Sequence, residues 1–150
     1  MKRNAVLAIR GRQTYGDQEP EVIELVTEGT MEFRNGGWDI SYEESELTGL
    51  AGVTTTFRVE PGRVVLDRKG ALNSQMIFEE GRQHTSLYET AFGELPVDIQ
   101  TSKLLHNLTE RGGLMEIKYS IAVAHSVTGR NCIKIRVRRK HSIYKRGFAI

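Results

Sequence analysis

The chain has 150 residues, 39% of them hydrophobic and 27% charged, with a formal net charge of +2; this is one domain's worth of sequence, enough to bury a core of its own. No apolar run approaches the roughly 18 residues that a membrane-spanning helix needs, and the single cysteine, Cys132, excludes an internal disulfide framework and a cysteine-cluster metal site. Charge is unevenly spread: residues 1–12 sum to +4, residues 13–57 carry ten acids against Arg34 alone, and the remainder sums to +7. Such asymmetry fits either an acidic and a basic face on one body or ordinary solvated strand faces.

Asn4 to Gln13 reads as a first strand. Its apolar stretch, Ala5 to Ile9, is too short for a signal sequence and is interrupted by Arg10 and Arg12, so a cytoplasmic protein is expected. After a polar loop, Val22 to Phe33 alternates, with Ile23, Leu25, Met31 and Phe33 on one side and Glu24, Glu28 and Glu32 on the other. Gly29 falls on the apolar side, which suggests a bend or a close approach there. Asn35-Gly36-Gly37-Trp38 is a hairpin signal. A Gly-Gly loop predicts Phe33 opposite Ile40 and Met31 opposite Tyr42.

The segment from Glu46 to Gly70 carries two alternating strands around Pro61-Gly62, a turn in which proline sets φ and glycine accepts a positive one. A two-residue loop places Val59 opposite Val64, Phe57 opposite Leu66 and Thr55 opposite Arg68. One face then holds Val53, Thr55, Phe57, Val59, Val64 and Leu66 and is the buried one. Arg68 belongs to that face, where a guanidinium must find an acceptor or a wet cavity.

Asn73 to Glu79 and Gln83 to Phe92 are two further strands, expected to pair as a hairpin around Gly81. The more apolar facing puts Met76, Phe78, Leu87 and Glu89 inward, with Tyr88 outward. Leu95 to Glu110 reads as a strand through Val97, Ile99 and Thr101, although Leu104, Leu105 and Leu108 also suit a short helix. Leu114 to His125 carries Met115, Ile117, Tyr119, Ile121 and Val123 on one face. Cys132 to Arg139 carries Ile133, Ile135 and Val137, with Thr128-Gly129 read as the turn before it. A bulge or a three-residue loop is needed to bring those two faces together.

An antiparallel meander of eight to ten strands must close on itself or split into two sheets to hide its edges. The simplest outcome is an all-β, closed antiparallel up-and-down barrel. The segment Glu46-Leu47-Thr48-Gly49-Leu50, the run Thr54-Thr55-Thr56, Arg68 with Gly70, Phe78, Gly81, Tyr88-Glu89-Thr90, Gly93, Thr101, Gly112-Gly113 and Tyr119 occur in this order along nearly the whole chain. In these the chain resembles the YwiB-like family, small bacterial proteins of unknown function. The resemblance implies a calycin-like, lipocalin-type barrel and no established activity.

Candidate chemistry centres on the inward polar set. Arg68, braced by Glu89 and flanked by Thr55, could clamp a carboxylate or phosphate headgroup in the lumen. Phe57 would supply apolar wall with Leu66, Phe78 and Leu87, and Tyr88 or Tyr119 would join if their strands face the other way. The bland alternative is an Arg–Glu pair that closes the barrel and binds nothing.

No catalytic residues emerge: Ser74, Ser86 and Ser102 lack a nucleophile-elbow context, and no phosphate loop precedes a helix. The histidines lie singly, without metal-ligand spacing, so neither a metal nor a cofactor is expected. The basic end offers a second reading. Lys134, Arg136 and Arg138 share a strand face and Tyr144 could stack on a base, so RNA contact or self-association is the alternative to a small-molecule ligand.

Overall fold

Alternation of inward apolar and outward polar side chains builds ten strands. A computed structural model describes residues 1–90, 93–124 and 126–140, with the side chains of Glu89, Thr90 and Val127 outside that description. The strands are β1 (Lys2–Thr14), β2 (Glu21–Arg34), β3 (Gly37–Glu43), β4 (Val53–Glu60), β5 (Arg63–Gly70), β6 (Ser74–Phe78), β7 (Gln83–Thr90), β8 (Gly93–His106), β9 (Gly112–Val123) and β10 (Ser126–Arg139), with a 3-10 turn at Glu46–Thr48. All pairings are antiparallel between chain neighbours, except that β1 pairs with β10 and so wraps the sheet into a nearly closed barrel. The expected all-β up-and-down architecture is therefore what the chain adopts, and residues 93–106 take the strand reading rather than the helical one. Among the described residues no helix is long and apolar enough to cross a membrane.

The β4–β5 hairpin has the predicted register, with Glu60 opposite Arg63, Phe57 opposite Leu66 and Thr55 opposite Arg68. At the β2–β3 turn the register differs. Asn35 (φ 49°) and Gly36 (φ 77°) are the central residues, so Phe33 opposes Trp38 and Met31 opposes Ile40. Asparagine tolerates the left-handed conformation, and Asn-Gly is the favoured primed turn. Gly37 is thereby released into the strand, where a Cβ would lie 2.6 Å from the Val59 carbonyl oxygen. Because the pairing slips by two residues, each side chain changes partner but stays on its face.

Gly29 makes the close approach that its place on the apolar side suggests. A Cβ there would lie 2.2 Å from the Ser41 carbonyl oxygen and 3.1 Å from Leu7 Cδ1. The Gly29→Ala variant is expected to lose about 2 kcal/mol, as overpacking against hydrogen-bonded backbone does. Chemical denaturation would check it: an unchanged midpoint would mean that β2 and β3 are less tightly apposed.

The expected hairpin between β6 and β7 does not form. β6 ladders with β5 and β7 with β8, leaving these consecutive strands as the two margins of the sheet. The turn itself closes, with Arg82 N–H donating to the Glu79 carbonyl at 3.0 Å, but Gly81 N–H donates to the Thr101 carbonyl at 3.0 Å. The Glu80 carboxylate accepts from Leu104 N–H at 2.9 Å. These two bonds draw the link toward β8 and leave a seam bridged by side chains: Ser86 Oγ donates to the Gln75 carbonyl at 2.7 Å, and His84 Nε2 lies 3.0 Å from Glu79 Oε1.

β7 also faces the opposite way from the expectation: Leu87 is 61% exposed, while Tyr88 packs against the core. Once β7 is laddered to β8, its facing follows that of buried Val97 and Ile99. At β9–β10 the anticipated bulge is present, between Val127 and Gly129, and sets Ile133 opposite Ile117. Thr128-Gly129 lies inside β10 rather than forming the turn.

Candidate functional site in the barrel lumen

Two walls of the barrel bring polar side chains inside. On the first, Tyr42 of β3 opposes Thr55 of β4, which opposes Arg68 of β5. The same period of two that buries Ile40, Phe57 and Leu66 turns these three inward. Just beyond β3 the buried Glu44 carboxylate accepts hydrogen bonds from Thr55 Oγ1 at 2.5 Å and Thr48 Oγ1 at 2.9 Å, and from the Tyr42 phenol. The 3-10 turn that delivers Thr48 is closed by Gly49 in the left-handed conformation. A buried carboxylate is costly without such partners, and three hydroxyls satisfy this one. Burial, reinforced by the Glu44 charge, raises the Tyr42 phenol well above its ordinary pKa.

On the second wall Thr101 of β8 opposes Tyr119 of β9, which opposes Asn131 of β10. The Asn131 side chain hydrogen-bonds to the Tyr119 hydroxyl, and burial pushes that phenol up to about 12. The Arg68 charge opposes the shift at both Tyr42 and Tyr119, so the guanidinium lies within electrostatic reach of both walls.

Among the described residues, three buried side-chain atoms have no hydrogen-bond partner: Arg68 Nε, Thr101 Oγ1 and Asn131 Oδ1. Each sits on the inner face of its strand. A buried polar atom without a partner costs about 1–3 kcal/mol, more when it belongs to a charged group.

The remainder of the lumen is apolar. Phe57, Leu66 and Phe78 are buried there, at 3%, 2% and 0% exposed. Phe78 closes the seam from within, its ring 4.7 Å from that of Tyr119.

Of the residues singled out from sequence, Thr55, Phe57, Arg68, Tyr88 and Tyr119 all face inward. The Glu89 side chain, the expected brace for Arg68, lies outside the described residues; the acid that the structure places in the lumen is Glu44. The sequence does not single it out, because it lies one residue past the end of β3, where the period of two no longer assigns a face. Thr101 falls on the expected alternation of Val97 and Ile99 without standing out as a site residue, and Asn131 precedes Cys132, the expected start of the last strand, which in the structure begins at Ser126. Leu87, expected as lumen wall, is outside the barrel. Lys134, Arg136 and Arg138 are exposed on the outer face of β10, and Tyr144 lies outside the described residues.

The shifted phenols give a pH dependence. An unfolded tyrosine ionises near 10, whereas Tyr119 holds its proton to about 12 in the folded barrel. Above the unfolded value the unfolded chain binds fewer protons, so this contribution is complete below pH 10 and is lost as pH rises toward the folded value, on the order of 1.4 kcal/mol per pH unit. Denaturation midpoints should fall across that window, less steeply in Tyr119→Phe. A wild-type slope in that variant would show that the hydroxyl is not held protonated by burial.

Residues 7–135 match the family described as a domain of unknown function, DUF1934. A relative, the uncharacterized beta-barrel protein YwiB of Bacillus subtilis (strain 168), is 31% identical over 107 residues, covering 71% of this chain and 74% of that protein. The crystal structure of that ywiB protein superposes with a TM-score of 0.81 at 25% identity, over 93% of this chain and 94% of the other. With the family match running from β1 to β10, the chain belongs to the DUF1934 family of YwiB-like β-barrel proteins.

Proposed function

We propose that the barrel binds a small polar anion in the polar half of its lumen, a carboxylate or phosphate ester that also carries a hydroxyl or amide hydrogen. The observation that carries this reading is the set of partnerless buried atoms, Arg68 Nε, Thr101 Oγ1 and Asn131 Oδ1. Glu44 is already satisfied by hydroxyl donors, so the Arg68 Nε–H still calls for an acceptor. An acid oxygen of the ligand supplies it. Asn131 Oδ1 needs a donor, which a ligand O–H or N–H supplies, and the Thr101 hydroxyl serves in either sense.

The apolar half is packed with buried core side chains, which favours a headgroup-sized molecule over one with a long acyl tail. Binding in such a site is a matter of fit and charge.

Native mass spectrometry of the protein purified gently from its own cells tests this. An adduct released on denaturation, and displaced by neither apolar acids nor neutral sugars, is the expected result. A bare mass in repeated preparations, together with no thermal shift from a panel of small carboxylates and phosphate esters, would overturn the proposal in favour of a lumen that only its own side chains fill.

A further inference from the structure

The closure of β1 onto β10 has a second consequence, on the outside of the barrel. The outer positions of β10 carry Arg130, Lys134, Arg136 and Arg138, all exposed; spaced at every second residue but one, they extend over about 27 Å. Pairing adds cations from both sides. Arg12 of β1 and Lys118 of β9 lie opposite Cys132, and Arg10 lies opposite Lys134. Lys103, at the bulge of β8, pairs with Lys118.

Within this strip the Glu116 carboxylate is already held by Lys103 at 3.0 Å and Lys134 at 3.8 Å, and Asp98, on the outer side of β8, is buried and accepts a hydrogen bond from Thr85 Oγ1 at 2.6 Å. The surface is not flat. A groove of about 470 Å³ runs between Arg12, Lys118 and Arg130, with the neutral polar side chains of Gln100, Ser102 and Ser120 along it. A smaller hollow of about 140 Å³ is lined by Arg10, Arg12, Lys118 and Lys134 around Cys132. Next to β1, the outer side of β2 carries Glu24, Glu28 and Glu32, a border that confines a polyanion to the basic strip.

We infer that the outer face of β8, β9, β10 and β1 binds the phosphate backbone of a single-stranded nucleic acid, laid along β10. The charge complementarity is one-sided: cations at successive outer positions, neutral hydrogen-bonding groups between them, and an acidic margin. The wall of a barrel is convex and presents neither a helix nor a two-stranded ribbon to enter a major groove, so duplex readout has no structural basis here. A flexible single strand can follow the curvature. With no exposed aromatic ring on this face among the described residues, recognition is by charge and does not depend on base sequence.

Fluorescence anisotropy with a labelled single-stranded oligonucleotide of mixed sequence, titrated with the full chain at several salt concentrations, is the test. Binding is expected to weaken with salt along a log–log slope of about −3 to −4, as roughly five phosphate contacts would give. Arg12→Glu combined with Lys118→Glu should lower affinity at least about tenfold and reduce the slope by about 1.4. Arg136→Glu with Arg138→Glu is a second pair of outward positions, usable should the first pair fail to fold. Absence of saturable binding at low salt, affinity unchanged in the folded variants, or binding to anionic phospholipid vesicles but not to the oligonucleotide would overturn the inference. None of these outcomes bears on the lumen, since all four substituted side chains point away from it.

Discussion

Arg68→Ala is expected to abolish retention of the lumen ligand while leaving the barrel folded. The wild-type guanidinium keeps a buried Nε without a protein partner, an arrangement that costs stability. Truncation removes that cost along with the stem's packing, so the net change in unfolding free energy should be small, within about 1 kcal/mol. Binding responds differently: a charge-assisted hydrogen bond contributes about 1.5–3 kcal/mol, which corresponds to a loss of roughly 10- to 100-fold in affinity.

Arg68→Lys should recover part of the affinity, because it keeps a point charge and loses the planar fork. The adduct in native mass spectra and the denaturation midpoint together read the outcome. If Arg68→Ala keeps the wild-type adduct, the guanidinium does not hold the ligand. If it loses several kcal/mol of stability and no adduct was ever present, the residue serves only the fold.

Phe78→Ala is expected to cost about 4 kcal/mol, at the upper end of large-to-small substitutions. Phe78 is fully buried at the end of β6 and packs on Tyr119 across the seam. No ladder binds β6 to β7, so side-chain packing supplies what hydrogen bonding supplies elsewhere in the sheet. The cavity left by the missing ring would open beside Tyr119 and admit water toward Asn131 and Thr101. In a chain of this size each kcal/mol shifts Tm by about 2–4 °C, so a fall of roughly 10 °C is expected in a thermal melt. A shift of only a degree or two would mean that the seam is held from outside the lumen.

Much of the fold is encoded by neighbouring residues, for physical reasons. The Pro61-Gly62 hairpin has its predicted register because the turn residues and the apolar alternation on either side agree. The bulge in β10 was forced by the need to align Ile133 with the core face of β9. The β2–β3 turn shows the margin of such reasoning: Asn-Gly and Gly-Gly overlap in Asn35-Gly36-Gly37, and the tolerance of asparagine for a positive φ chose between them. On the inner wall, Thr55, Arg68 and Tyr119 were accessible from alternation, whereas Glu44 was hidden because it lies one residue past the end of a strand, where alternation no longer assigns a face.

The seam was not accessible, since a hairpin between β6 and β7 satisfies every local rule. It is decided by two hydrogen bonds from the Glu80-Gly81 turn to β8, about twenty residues along the chain. By itself the sequence determined the strands, most of their turns and which side chains share a face, because period-two patterning and turn chemistry are properties of neighbouring residues. Only the tertiary structure decided that Arg68 reaches both Tyr42 and Tyr119, and that Arg10 and Arg12 join the cations of β10. Both depend on the sheet wrapping round until β1 meets β10, a contact between the ends of the chain that no local pattern encodes.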